Sequence, residues 1–233
     1  MGMENARWRF PLLAKAIVFD LDGTLLDTLP DLARAANLML AELELPQVDA
    51  PQVRAYIGDG AVRLVKRVLT GDWEREPEQA LFDRALPIFN RHYAKGVALE
   101  SRPFPGVVEG LEAFRARGFP MGCITNKPEV FTLPLLEQTR LKTYFDIIVS
   151  GDVLPKKKPD PMPVTYACGF FGARPEHVVV VGDAGNDCAA ARAAGCPALG
   201  VSYGYVPSGD VGSIGFDAIV NTFVEALDLI RHS

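Results

Sequence analysis

Two aspartates separated by one residue are the first side chains of this sequence with the spacing to do chemistry. Asp20 and Asp22 follow the apolar run 16–19 and precede Gly23 and Thr24. A short apolar run ahead of a Gly-Thr turn predicts a buried strand of a parallel sheet. Side chains two positions apart leave a strand in the same direction, and two carboxylates so close together need a cation or a shared proton. The pair therefore indicates a ligand site at the carboxyl end of a strand, where open α/β sheets bind ligands.

Three further polar segments fall where later strands of the same sheet are expected to end. Thr125 and Asn126 offer a hydroxyl and an amide suited to a phosphate oxygen. Lys158 is followed by prolines at 159 and 161, which restrict the backbone and favour an inward-facing ammonium, while Asp183 and Asp187 add two carboxylates. Clustered carboxylates beside a lysine suit a hard, oxygen-seeking cation and a phosphoryl group. Asp187 has an alternative interpretation, an acid stabilised by a helix N-terminus.

The elements that must position these side chains form an alternation of strands and helices. Short apolar runs that end in polar or glycine-rich residues alternate with helical patterns along most of the chain. This order predicts an α/β fold with a doubly wound, Rossmann-like parallel sheet and right-handed crossovers. The predicted strands cover residues 16–19, 121–125, 145–149, 178–181, 198–201 and, as a weak candidate, 218–220.

The stretch from Leu29 to Arg102 interrupts that alternation. It contains helical patterns at 32–43, 62–69 and 80–93 and no convincing strand. A connection of roughly 75 residues is too long for a compact domain. We therefore expect an α/β core domain of residues 1–28 and 103–233 and an inserted α-helical cap domain of residues 29–102. One continuous α/β domain with additional helices is the alternative.

The composition narrows the class of protein. The 233 residues are 48% hydrophobic and 23% charged, as in a globular protein with a substantial core. A formal net charge of −5 argues against broad binding to nucleic acid or acidic membranes, and nothing indicates an obligate protein partner. The four cysteines lack zinc-ligand spacing, and residues 1–6 lack a signal-peptide core. These features predict a cytoplasmic protein that does not bind nucleic acid or membranes.

Taken in chain order, the four motifs resemble those of the haloacid dehalogenase superfamily of phosphotransferases. The motifs are D-x-D-G-T, T-N, K-P-x-P and G-D-x-x-x-D, and the resemblance extends over residues 16–230. The insertion directly after the first motif resembles the helical cap of the subgroup that carries its cap there. The resemblance implies Mg²⁺-dependent hydrolysis of a small phosphate monoester through an aspartyl-phosphate intermediate.

The resemblance also implies a role for each residue that meets the substrate. Asp20 would be the nucleophile. Asp22 would be the acid that protonates the departing alkoxide and then the base that activates water. Thr125 and Asn126 would hold the phosphate, and Lys158 would offset charge on the nucleophile and on the transferring group.

A metal site is the second implication of the resemblance. Asp20, the backbone carbonyl of Asp22 and Asp183 would be ligands of Mg²⁺, with Asp187 as a further ligand or as the partner of one. Gly23 would let backbone N–H groups approach the phosphate closely.

The sequence of the expected cap indicates which substrate the protein hydrolyses. An intact Asp22 argues against haloacid dehalogenases and phosphonoacetaldehyde hydrolases, which lack a carboxylate at that position. The segment 56–67 resembles the cap of bacterial phosphoglycolate phosphatases, where a G-x-G-A turn precedes an arginine. We therefore expect 2-phosphoglycolate as substrate, with Arg67, and after it Arg63, pairing with the substrate carboxylate. A solvated basic helix face is the alternative for both arginines.

Other activities and classes stay open at this point. A phosphotransferase of the β-phosphoglucomutase type, a pyrophosphatase and an amino-sugar phosphate phosphatase share the same core motifs. A non-catalytic binding module that retains the fold is a rival of a different class, although four intact motifs argue against it.

Overall fold

The computed structural model describes residues 8–206 and 210–233. The N-terminal residues 1–6, in which no signal-peptide core is predicted, lie outside this part of the chain. Within the described ranges, no helix combines the length and the hydrophobicity that a bilayer span requires.

Six parallel strands build the main sheet, in the spatial order Ile147–Val149, Met121–Ile124, Ala16–Phe19, Val178–Gly182, Ala198–Val201 and Ala218–Val220. Its strands are short, rich in Val, Ile and Ala, and buried on both faces in the centre, as parallel sheets require. The strands of the described residues are β1 (Leu12–Ala14), β2 (Ala16–Phe19), β3 (Leu26–Asp27), β4 (Arg102–Pro103), β5 (Met121–Ile124), β6 (Ile147–Val149), β7 (Val178–Gly182), β8 (Ala198–Val201), β9 (Ala218–Val220) and β10 (Ile230–His232).

Helices cover both faces of this sheet. Val18 and Val180 pack with the helices of one face, α7 (Met162–Phe170) and α8 (Gly185–Ala194). Ile17 and Phe19 pack with α5 (Val107–Ala116) and α6 (Glu129–Gln138) on the other. The predicted doubly wound α/β fold is therefore confirmed. The helices are α1 (Leu29–Glu42), α2 (Ala50–Tyr56), α3 (Ala61–Thr70), α4 (Gln79–Ala94), α5 (Val107–Ala116), α6 (Glu129–Gln138), α7 (Met162–Phe170), α8 (Gly185–Ala194) and α9 (Ala226–Leu229).

The strands differ from prediction mainly at their ends. β6 begins at Ile147 rather than at 145 because a turn of 3₁₀-helix occupies residues 142–144. The parallel pair β1–β10 and the antiparallel pair β3–β4 were not predicted. Strands of two or three residues are too short to carry a periodic pattern, so only tertiary pairing reveals them.

Four helices, α1 to α4, occupy the chain between β3 and β4. The pairing of Asp27 with Arg102 brings the two ends of this long segment together. Helix α2 was not predicted, although its start carries a capping box in which Asp49 and Gln52 bond each other's backbone N–H groups. The buried faces of the four helices meet in a common apolar cluster that includes Met39 and Phe89.

The register of the sheet determines which loops meet. Phe19 of β2 lies opposite Cys123 of β5 and Val181 of β7. The residues directly beyond these positions therefore emerge side by side at the carboxyl edge of the sheet. Because β2 is central and the chain proceeds first to one side of it and later to the other, this edge is a switch point where α/β sheets bind ligands.

Candidate active site

Asp20 lies directly after β2 and shares a buried ammonium group with Asp187. The Nζ atom of Lys158 donates hydrogen bonds of 2.6 Å to both carboxylates and one of 2.7 Å to the carbonyl of Ile124. Burial by itself lowers the pKa of Lys158, but the charges of Asp187 and Asp20 outweigh it and hold the pKa above its ordinary value. Lys158 is therefore a fixed positive charge beside Asp20.

Three carboxylates converge at the same place. One oxygen each of Asp20, Asp183 and Asp187 lies within 4.8 Å of the others. Burial, with the charge of Asp187, raises the pKa of Asp183 to about 7. Burial also raises the pKa of Asp20 well above its usual range, although Lys158 opposes that rise. Buried oxygen ligands with excess negative charge fit a hard divalent cation.

Asp183 follows β7 and is held by two donors that sequence reasoning missed. Thr24 Oγ1 donates to its Oδ1 over 2.8 Å, and the backbone N–H of Tyr205 donates to its Oδ2 over 2.7 Å. Thr24 was detectable, since it belongs to the D-x-D-G-T motif. Gly23 has a positive φ of 87°, and a Cβ there would lie 2.4 Å from Asp183 Oδ2. The turn after β2 therefore needs glycine for close packing as well as for conformation.

Asp22 turns away from the three carboxylates. Its Oδ1 accepts a hydrogen bond of 2.6 Å from Thr28 Oγ1 and lies 2.9 Å from Lys127 Nζ. Of the atoms of Asp22, only the backbone carbonyl oxygen can therefore be the metal ligand that the family resemblance implies. Sequence reasoning missed both partners; the signal for Lys127 was its position directly after Thr125 and Asn126.

Thr125 and Asn126 are buried directly after β5. The Asn126 amide donates to the carbonyls of Lys158 (2.9 Å) and Gly58 (3.2 Å). Its Oδ1 is buried and has no hydrogen-bond partner among the described residues. Asn126 therefore holds the loop that carries Lys158 in place, and it also contacts the loop between α2 and α3.

A cleft of about 440 Å³, part of it open to solvent, lies between the sheet edge and helices α1 to α4. It contains four of the predicted site residues, Asp20, Asp22, Thr125 and Asn126. The other lining residues are Leu32, Ile57, Gly58, Gly60, Ala61, Leu64, Tyr93, Lys127, Pro128 and Phe131.

The structure does not bring Arg67 into this cleft. Its side chain is 4% exposed, pairs with Asp59 at 2.5 Å and donates to the carbonyl of Tyr56 at 3.0 Å. The guanidinium also lies 3.6 Å from the centre of the Trp73 ring. Arg67 thus bonds within the helical segment itself, which the helix pattern of α3 could not reveal because its partners lie outside α3, at the end of α2 and on the flanking loops.

Arg63 is likewise outside the cleft. It is partly exposed and pairs with Glu76 at 3.0 Å, as does Lys66 at 2.5 Å. The basic face of α3 is therefore balanced by the acidic loop that follows it. Arg63 therefore belongs to a surface charge cluster in this structure.

Comparison with known proteins places this geometry in a family. Residues 17–201 match the family model described as haloacid dehalogenase-like hydrolase. The chain is 54% identical over 217 residues to the phosphoglycolate phosphatase of Thiobacillus denitrificans, covering 93% of this chain and 96% of that protein. It is 53% identical over 224 residues to the phosphoglycolate phosphatase of Nitrosospira multiformis, covering 96% and 99%.

A solved structure agrees with the sequence comparisons. The crystal structure of a protein from Haemophilus somnus, described as a predicted phosphoglycolate phosphatase, superposes with a TM-score of 0.86 at 36% identity, over 92% of this chain and 96% of that one. The motifs, the sheet topology and the matched length agree, and the chain belongs to the haloacid dehalogenase-like hydrolase family.

Proposed function

We propose that the chain is a Mg²⁺-dependent phosphatase that hydrolyses 2-phosphoglycolate to glycolate and phosphate through an aspartyl-phosphate on Asp20. The observation that carries the proposal is the convergence of Asp20, a charged Lys158 and two further carboxylates at one sheet edge. The names of the relatives support the substrate, since those from Thiobacillus denitrificans and Nitrosospira multiformis are phosphoglycolate phosphatases.

The residues present fit a magnesium ion. Three buried carboxylates face one ammonium, and all their donor atoms are oxygen, the ligand type that Mg²⁺ prefers. In the proposal Asp20, Asp183 and the backbone carbonyl of Asp22 hold the ion, with Asp187 as a further ligand or as the partner of Lys158. When bound, Mg²⁺ would supply positive charge that neutralises the phosphoryl oxygens.

The first proposed step is attack of an Asp20 oxygen on phosphorus. Thr125 and Asn126 hold the phosphate oxygens, and Lys158 offsets the negative charge that accumulates around the nucleophile. The P–O bond to glycolate breaks, and the Asp22 carboxyl gives its proton to the departing alkoxide oxygen. Thr28 and Lys127 orient that carboxyl.

The second proposed step returns the enzyme to its starting state. The ionised Asp22 takes a proton from a water molecule, whose oxygen attacks phosphorus and releases Asp20 with inorganic phosphate. Asp22 thus alternates between acid and base, and its side chain has to stay outside the carboxylate cluster to reach the leaving oxygen.

The domain division is part of the proposal. We assign residues 1–28 and 103–233 to a catalytic core and 29–102 to a cap that covers the cleft. The β3–β4 pair supports this assignment because it joins the two ends of a segment that is otherwise helical. A cytoplasmic location is proposed as well, because all four cysteines are buried and none forms a disulfide among the described residues.

Phosphate release in the presence of Mg²⁺ tests the proposal. The substrates are phosphoglycolate, pyrophosphate, glucose phosphates and glucosamine phosphate, and Asp20→Asn serves as the inactive reference. We expect kcat/KM for phosphoglycolate to exceed the others by about 100-fold, or about 2.7 kcal/mol of transition-state binding. A flat profile would remove the proposed substrate, and full activity of Asp20→Asn would remove the proposed nucleophile.

The matched control is Asp49→Asn. Asp49 caps α2 outside the cleft, and asparagine caps helices equally well, so activity should be unchanged. Retention of phosphate on the enzyme, with transfer to a sugar phosphate instead of water, would point to the mutase alternative.

A further inference from the structure

The chemistry of the proposed substrate restricts where its carboxylate can be bound. In phosphoglycolate one methylene separates the carboxylate from the oxygen that leaves phosphorus. Any group that binds this carboxylate must therefore lie beside the acid that protonates the leaving oxygen, which is Asp22 in the proposed function on which this inference rests. Arg67 and Arg63 do not line the cleft that holds Asp22.

Lys127 meets this requirement. It lines the cleft, its side chain is 5% exposed, and its Nζ lies 2.9 Å from Asp22 Oδ1. An ammonium group has three donors, so a contact to one oxygen of Asp22 leaves capacity for a second anion.

Tyr93 places a second donor beside Lys127 in the cleft. It comes from α4, lines the cleft from the helical side and is 1% exposed. Its hydroxyl forms no well-aligned hydrogen bond among the described residues, although it interacts with the Lys127 ammonium, and a buried hydroxyl without a well-aligned partner is costly. Burial raises the pKa of Tyr93 to about 12, so the hydroxyl stays a donor. The Lys127 ammonium lies 4.9 Å from the centre of the same ring.

We propose that Lys127 Nζ and Tyr93 Oη together bind the carboxylate of the leaving group and so select short α-hydroxy acid phosphates. One donor comes from the sheet edge and the other from the helical segment, so the pair forms only when both sides of the cleft are together. Leu32, Leu64 and Phe131 line the same cleft and restrict the room for a longer or more polar leaving group.

The test compares two substrates of similar shape. Isobutyl phosphate replaces the planar carboxylate of phosphoglycolate with a neutral branched carbon at the same distance from phosphorus. The quantity measured is the ratio of kcat/KM for phosphoglycolate to kcat/KM for isobutyl phosphate. Because Lys127 also contacts Asp22, its loss lowers both values, and the ratio isolates the part that depends on the carboxylate.

We expect Lys127→Met to lower this ratio about 10- to 100-fold, the value of a charge-assisted hydrogen bond. Tyr93→Phe should lower it about 3- to 10-fold, since only a neutral hydroxyl is removed. Lys95→Met and Tyr166→Phe are matched controls, because both side chains are exposed and outside the cleft, and they should leave the ratio unchanged.

An unchanged ratio in Lys127→Met and Tyr93→Phe would overturn the proposal, even if both rates fell, because the two residues would then act on Asp22 and on packing alone. If Lys127→Met does not fold, as judged by circular dichroism, Tyr93→Phe decides. A wild-type protein that hydrolyses isobutyl phosphate and not phosphoglycolate would overturn the proposed substrate and this subsite together, an outcome distinct from an unchanged ratio.

Discussion

At the scale of single residues, charge balance determines what the cleft can do. Lys158 bonds Asp20 and Asp187, whereas the donors that hold Asp183 among the described residues are neutral, the Thr24 hydroxyl and the Tyr205 N–H group. Buried carboxylates that lack a full countercharge destabilise the fold unless they are protonated or bind a cation. The same excess of negative charge that favours a metal therefore makes the metal-free protein less stable.

We expect Mg²⁺ to stabilise the protein against heat. At a concentration of 100 Kd the gain is about 2.7 kcal/mol, which corresponds to a rise in Tm of about 5–10 °C for a chain of this size. Differential scanning calorimetry with and without Mg²⁺ measures it. Asp183→Asn should abolish most of the rise and Asp49→Asn none of it; an equal rise in all three proteins would place the ion elsewhere.

At the scale of elements, the turn between β2 and β3 connects the nucleophile to the metal site. Gly23 combines a positive φ of 87° with a Cβ position that is blocked by Asp183. Gly118, after α5, has almost the same φ, 82°, and open space around it. Substitution of each glycine by alanine therefore separates the effect of backbone strain from the effect of steric contact.

Gly118→Ala should lower the free energy of unfolding by about 1–3 kcal/mol through backbone strain alone. Gly23→Ala should lower it by about 1–3 kcal/mol more, since the methyl group displaces the Asp183 carboxylate. Urea unfolding measures both values. We also expect weaker Mg²⁺ binding in Gly23→Ala only, and equal Mg²⁺ affinity in the two variants would contradict the steric argument.

The segment around α3 shows why a basic helix face need not contact substrate. The guanidinium of Arg67 ties Asp59 and Tyr56, on the N-terminal side of α3, to Trp73, on its C-terminal side. Its bonds hold together the loops that flank the helix.

Arg67→Met should therefore lower the free energy of unfolding by about 1–3 kcal/mol, less than for a fully buried ion pair because part of Asp59 is exposed to water. The ratio of kcat/KM for phosphoglycolate to that for isobutyl phosphate should not change. Arg63→Met, which removes an exposed ion pair, should alter stability by about 0.5 kcal/mol or less. A selective loss of phosphoglycolate hydrolysis in Arg67→Met would restore the role first expected for it.

At the scale of the whole molecule, hydrogen bonds bridge one side of the cleft, from the sheet edge to the loop before α3. Asn126 and Asn186 both donate to the carbonyl of Gly58, over 3.2 and 2.8 Å. Lys157 donates to the carbonyl of Asp59 over 2.6 Å. Asn126, Asn186 and Lys157 thus hold two adjacent backbone carbonyls, in a cluster we call the Gly58–Asp59 latch. While it is formed, such a contact can exclude water during attack on phosphorus by Asp20. When it breaks after hydrolysis of the aspartyl-phosphate, the product can leave.

Asn186→Ala should weaken the latch without touching the cleft. We expect KM for phosphoglycolate to rise by up to about tenfold, the value of one hydrogen bond, with a smaller change in kcat. Hydrogen exchange should become faster at residues 57–60. The control is Asn221→Ala, whose side chain contacts Ser202 on the surface of the core. Unchanged exchange and KM in Asn186→Ala would show that the latch does not control closure.

The core of the site was predictable from the sequence alone because its chemistry is local. Asp20, Thr125 and Asp183 each follow directly after a short apolar strand, and parallel strands present their carboxyl ends at one edge. Nothing beyond strand recognition and residue type was needed to bring them together. The order of the motifs along the chain then indicated the family.

Only the tertiary structure decided which charges face the substrate. Lys127, Tyr93 and Arg67 lie in three different segments of the chain. Whether each side chain is paired, buried or directed into the cleft depends on how those segments pack. The pattern of α3 contains Arg67 but not Asp59 or Trp73, the groups that occupy it. Local sequence specifies strands, turns and helix faces, whereas burial and ion pairing are long-range properties that exist only in the folded chain.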